Sequence, residues 1–169
     1  MEAKDIAKKV LLQTRQRHKS LKSTLTQKYR DLGILKGIEF LDVDVSLSLK
    51  SGLRHAEHEY NKIEYDFDRN IDLGLVELSG MFLKMTGQEV FGFSYHWKIL
   101  GAYILSPSHI SDQLNDFMRL NEDELWLWST DFNNSLTIIG DRTGSGDRLN
   151  QLSVYVHGDR WSKLMGSNG

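Results

Sequence analysis

From residue 3 to residue 32 the chain contains neither glycine nor proline, and Ile6, Val10, Thr14, Leu21, Leu25, Tyr29 and Leu32 recur at spacings near three and four. An α-helix turns once in 3.6 residues, so these side chains fall on one stripe, interrupted by the polar pair Arg17 and His18. Gly33 follows at once, a residue suited to the left-handed turn that ends a helix. The spacing predicts one amphipathic helix, or a pair bending near Ser20. A half-apolar helix is marginal alone, so the rest of the chain must supply a layer for that stripe.

After Gly37 the period changes to two. Leu41, Val43, Val45, Leu47 and Leu49 alternate with Asp42, Asp44, Ser46 and Ser48, and Ile63, Tyr65 and Phe67 alternate with Glu64, Asp66 and Asp68. Successive side chains of a strand point to opposite faces, so both segments read as half-buried strands. Residues 71–75, 81–85, 90–96, 97–105, 125–129, 136–139 and 152–156 read as further strands, separated by Asn70, Gly80, Thr86-Gly87 and Asn133-Asn134. Between them Ser106-Pro107 resembles a helix start, with Ile110, Leu114, Phe117 and Leu120 as the apolar face of a helix over about 107–120. The expected fold is α+β: an N-terminal amphipathic helix, or helix pair, packed on a largely antiparallel meander sheet with a second helix near 107–120. At 169 residues without an internal repeat, one domain over 1–169 is expected.

Charge divides this domain. Residues 1–36 hold ten Lys or Arg against three acids, a balance of +7, which leaves −9 for residues 37–169 in a chain of net charge −2. A basic helical segment therefore precedes an acidic β-rich body, an asymmetry that points to a polyanion or acidic partner for the first and a basic partner for the second.

The composition removes the chemistry of several function classes. With no cysteine, disulfides, thiolate metal sites, iron–sulfur clusters and cysteine nucleophiles drop out. The N-terminal residues lack the continuous apolar core of a signal peptide, and no run approaches the length of a membrane span, so a cytoplasmic protein without a membrane partner is expected. Gly140-Asp-Arg-Thr-Gly-Ser-Gly-Asp147 is glycine-rich but lacks the phosphate-loop spacing, and no dinucleotide fingerprint follows a strand, so no cofactor is expected.

The candidate sites are few. Trp126 and Trp128 share one side of a strand and follow Glu122, Asp123 and Glu124, which suits a partner-binding surface that selects basic partners; the competing reading places both indoles in the core. Lys8, Lys9, Arg15, Arg17, Lys19 and Lys22 line the helix flanks, where they suit a run of phosphates or simply face solvent and the acidic body. Asp42 and Asp44 share parity with Glu64 and Asp66, so pairing of those two strands would gather carboxylates able to hold a divalent cation. His55 and His58 stand three apart in a polar linker without a third ligand, and their order departs from the zincin motifs. Neither His96 nor His157 has a GxSxG serine to serve.

The expected function is a non-catalytic intracellular binding protein that engages a basic macromolecular partner through its acidic β-rich surface, as an inhibitor, an immunity or antitoxin protein, or a chaperone does. The alternative is a nucleic-acid-binding or viral accessory protein that works through the basic helix. A metal-assisted hydrolase using the acidic face is the second alternative. The helix stripe also offers a route to a homo-oligomer.

Overall fold

The computed structural model describes residues 3–33, 38–56, 62–142 and 148–166. The first helix, α1 (Ala3–Asp31), runs unbroken through Ser20 and closes with Gly33 at φ +70°, the left-handed turn its sequence signals. Seven strands follow: β1 (Ile38–Phe40), β2 (Lys62–Asp66), β3 (Val90–Ser94), β4 (Tyr103–Leu105), β5 (Glu124–Ser129), β6 (Ser135–Asp141) and β7 (Gln151–His157). They form one sheet in the order β1-β4-β3-β5-β6-β7-β2, antiparallel at every step. The α+β class with a long N-terminal helix is what the change of period predicts.

Three expected strands are helical instead. Residues 41–49 belong to α2 (Val43–Ala56), in which Ser46, Leu49 and Leu53 turn inward at helical spacing while Val45 and Leu47 are exposed. Ser46 decides the matter locally: its hydroxyl donates to the Asp42 carbonyl at 2.8 Å and accepts the Ala102 N–H at 2.7 Å, tying the helix start to the chain before β4. The strands expected at 71–75 and 81–85 are one helix, α3 (Ile71–Lys84). Asn70 caps it by accepting the Leu73 N–H at 3.2 Å, and Gly74, Leu78, Met81 and Phe82 form its buried stripe. Residues 97–105 divide into a single turn, α4 (Trp97–Leu100), and β4. Gly101 separates them at φ +89°, where an added Cβ would sit 1.9 Å from the Leu41 carbonyl oxygen. The expected 107–120 helix is two short 3₁₀ turns followed by α5 (Leu114–Leu120), and the chain described ends in α6 (Asp159–Gly166).

The strand register sorts the side chains into two layers. On the first face Val90, Tyr103, Leu105, Leu125, Leu127, Leu136, Ile138, Leu152, Val154 and Val156 are buried under α3, α5 and α6, with Trp161 of α6 fully enclosed. On the second face Phe93 and Trp128 pack with Leu53 of α2, Trp97 of α4 and Ala102.

α1 contributes to the first layer with its C-terminal third alone. Leu25 and Tyr29 are buried and Leu21 and Leu32 half-buried, whereas every residue from Asp5 to Ser20 is exposed, including Ile6, Val10, Leu11 and Leu12. The stripe thus covers the core over its last three turns and projects beyond it before them. Tyr29 fixes the junction: its ring meets Phe40 and Phe117 edge-on and its hydroxyl donates to Asn121 Oδ1.

Burial pushes the phenol pKa of Tyr29 well above 10.0, with the Asn121 hydrogen bond opposing, and that of Tyr103 upward through burial and the neighbouring Tyr29. Both stay neutral in the folded chain while the unfolded chain ionises them near pH 10. Their contribution is therefore fully present below pH 10, and stability is expected to fall above it by about 1.4 kcal/mol per pH unit for each group. Urea midpoints taken from pH 8 to pH 11 check this. Tyr103→Phe, which removes a hydroxyl without a hydrogen-bond partner among the described residues, should remove about half of that slope.

Candidate binding face

Antiparallel register sets side chains of the second face in rows across the sheet. One row runs Phe93, Trp126, Thr137, Tyr155, Glu64, and the next runs Glu124, Ile139, Ser153, Asp66. Asp141 and Gln151 follow as a third pair. α2 and α4 cover this face over β3 and β5, where Trp128 is 4% exposed. Beyond Trp126 no helix among the described residues covers this face: Thr137, Ser153 and Tyr155 are half-buried and Ile139, Glu64, Asp66 and Asp141 exposed. The open half has a centre of Trp126, Thr137, Ile139 and Tyr155, with Glu64 and Asp66 along the edge strand and Glu124 and Asp141 at one end.

Lys50 of α2 marks the border, its ammonium 4.7 Å from the Trp126 ring centre and 5.5 Å from that of Phe93. A cation over these rings is held by the negative aromatic face.

The residues singled out from sequence divide sharply. Trp126 borders the open face, whereas Trp128 lies beneath the α2 layer. Glu124 belongs to the open face. Glu122, at φ +55°, meets His96 Nε2 at 3.4 Å on an exposed turn. Asp123 is consumed by the fold, since its carboxylate accepts from Arg142 Nε at 2.7 Å and from a terminal guanidinium nitrogen at 2.9 Å. Asp42 and Asp44 do not lie on a strand beside Glu64 and Asp66: they stand at the start of α2, and the neighbour of β2 is β7. Among the described residues no three His, Asp or Glu side chains come close enough to hold a metal ion. Lys8, Lys9, Arg15, Arg17, Lys19 and Lys22 are all exposed on α1. His58 and the glycine-rich residues 143–147 lie outside the described residues, as does the side chain of His55.

A polar cleft opens at the end of the sheet bearing the β5–β6 turn, away from the open face. It encloses about 640 Å³ between Gln88, Glu89, Ser106, His109, Asp131 and Arg160, and a smaller recess of about 230 Å³ adjoins it along Glu39 and Ile104. Asp131 is held as an anion there, because the Ser129 hydroxyl and the Asn133 N–H donate to its carboxylate and lower its pKa. The only signals in the sequence are a serine-proline turn and an Asp-Phe-Asn-Asn turn, both too common to mark a site.

No helix among the described residues is long and apolar enough to cross a membrane. No family model, curated protein or solved structure matches the chain.

Proposed function

We propose that the protein is a non-catalytic binding module that engages a basic macromolecular partner through the open half of its sheet. The observation that carries this reading is the composition of that half: a tryptophan, a tyrosine and an isoleucine in the middle, four carboxylates at the margin, and a lysine already seated on the tryptophan. Aromatic residues supply large contact area at small entropic cost, and rim carboxylates speed encounter with a basic partner and reject acidic ones. An inhibitor, an immunity protein or a chaperone for a basic protein uses such a surface.

The test is affinity capture from the native cell with the wild type and with the neutralised variant Glu64→Gln, Asp66→Asn, Glu124→Gln, Asp141→Asn, both shown to melt alike. The wild type should enrich a basic protein that the variant loses. With that protein purified, Trp126→Ala should weaken binding roughly thirtyfold, the effect of losing a central anchor worth about 2 kcal/mol. Capture of the same partner by both forms, or a partner without net positive charge, would overturn the reading.

A second reading rests on the exposed cations of α1, which could track phosphates without base contacts. It requires retention on single-stranded nucleic acid that declines steeply with salt and disappears when Lys8, Lys9, Arg15 and Arg17 become Gln. A chain that elutes at low salt excludes it.

A further inference from the structure

The projecting part of α1 and the open half of the sheet are each unfinished in a way the other completes. Asp5 to Ser20 span about 24 Å of helix at 1.5 Å per residue. Ile6, Ala7, Val10, Leu11 and Thr14 continue the stripe that Leu21, Leu25 and Tyr29 bury on the body, and all are exposed. Five Lys or Arg and one acid accompany them. Phosphates alone would leave those apolar side chains in water, so the occupant of this stripe must offer apolar surface together with negative charge.

The open half of the sheet offers that combination. Three strands at about 4.8 Å spacing make a strip about as wide as one helix. Among the described residues the layer formed by α2 and α4 stops at Trp126, and one further helix beside it would complete the layer over β6, β7 and β2. Its inward face must be apolar, to meet Trp126, Ile139 and Tyr155, and its flanks basic, to meet Glu64, Asp66, Glu124 and Asp141.

A chain does not satisfy itself in this way. α1 is anchored by Leu25 and Tyr29 in the cluster on the first face, and its residues from Asp5 to Ser20 are all exposed, so the segment does not cover the sheet of its own chain. Two projecting helices paired stripe to stripe would bury the apolar side chains but would bring together five cations and one acid from each segment, without the negative charge that the sheet face supplies.

We propose that the projecting segment of α1 docks on the open sheet half of a second copy, and that reciprocal exchange of the two segments closes a dimer with two-fold symmetry. Two such contacts, each four helical turns long, bring the interface into the range of about 1,200–2,000 Å² found for stable complexes. The inference rests on the proposed binding face to this extent: the same carboxylates and the same tryptophan would receive the segment, so self-association masks the face until a basic partner displaces it.

The experiment uses the full-length chain in analytical ultracentrifugation. The wild type should sediment as a dimer at low salt and dissociate as ionic strength rises. Reversing the segment (Lys8→Glu, Lys9→Glu, Arg15→Glu, Arg17→Glu) should give a monomer, as should reversing the face (Glu64→Lys, Asp66→Lys, Glu124→Lys, Asp141→Lys). Mixed together, the two should form a heterodimer, because each then pairs an acidic segment with a basic face or the converse. As a measurement that survives misfolding of either variant, Val10→Cys and Ile139→Cys placed in one otherwise cysteine-free chain should form an intermolecular disulfide under mild oxidation, and either substitution alone should not yield that Val10-to-Ile139 crosslink. A wild-type monomer at 100 µM, or a dimer indifferent to both reversals, overturns the proposal. Loss of the captured partner on face neutralisation in a monomeric wild type would sink the dimer and leave the binding function standing. A dimer without any partner lost does the reverse.

Discussion

Deleting residues 1–32 is expected to abolish the cooperative fold, whereas deleting residues 1–19 leaves it intact. The difference lies in a few side chains: Leu25 is 5% exposed and Tyr29 1%, with Leu21 and Leu32 packed beside them, while nothing between Asp5 and Ser20 is buried. Truncating one large buried side chain costs about 2–5 kcal/mol, and whole domains are stable by about 5–15 kcal/mol. Removing Leu25 and Tyr29 together, with the uncovering of Phe40 and Phe117 and the loss of the Tyr29 bond to buried Asn121, therefore approaches the entire stability of the domain. Urea denaturation followed by tryptophan fluorescence reads both variants directly. At a protein concentration too low for dimerisation the shorter deletion should keep the wild-type midpoint, and at higher concentration it should lose the dimer; a longer deletion that also kept the midpoint would show that α1 is no part of the core.

Asp123→Ala should destabilise the protein by about 3–5 kcal/mol, the cost of leaving a buried charge without its partner. The Arg142 side chain is 8% exposed and that of Asp123 11%, and the guanidinium holds the carboxylate through two hydrogen bonds while also reaching Asn115 Oδ1 at 2.9 Å. The pair sits where the chain reverses from α5 into β5. There Asp123 has φ +57°, its N–H donates to the Met118 carbonyl, and its own carbonyl accepts the Gly140 N–H. In a chain of this length the expected loss lowers Tm by roughly 10 °C. Replacing both partners by apolar residues, Asp123→Ala with Arg142→Leu, should recover a large part of that loss, because no charge is then stranded. Calorimetry on the four members of the cycle gives the coupling. If Asp123→Ala shifts Tm by only a degree or two, the carboxylate is a surface group and belongs to the binding rim after all.

The importance of these residues is half visible in the sequence. A long helix ending at Gly33 and strands at residues 63–67, 90–96, 125–129 and 152–156 follow from spacing alone, because helix and strand periods differ and turn residues punctuate them, although the strand from Val90 ends at Ser94 in the fold. The same logic failed at residues 41–49 and 71–85. Leu41 to Leu49 alternate as a strand does, yet a hydroxyl at Ser46 and the apolar residues Leu49 and Leu53 select a helix once β3 and β5 offer them a surface. At α3 the helical signals were present in Asn70, Leu78, Met81 and Phe82, but an apolar run broken by Gly74 and Gly80 satisfies either period. Gly74 is there for packing: a Cβ would lie 2.5 Å from the Phe67 ring.

What the sequence by itself determined is local and compositional: the helical stripe of α1, the charge division at residue 37, the shared side of Trp126 and Trp128, and the absence of thiol chemistry. What only the tertiary structure decided is which surfaces remain available. Strand order set Glu64 and Asp66 beside Tyr155 rather than beside Asp42 and Asp44, the α2 layer buried Trp128 and stopped at Trp126, and Arg142 withdrew Asp123 into the fold. Periodicity reports the face on which a side chain lies. Whether that face is covered depends on contacts between segments far apart in the chain, which no local pattern encodes.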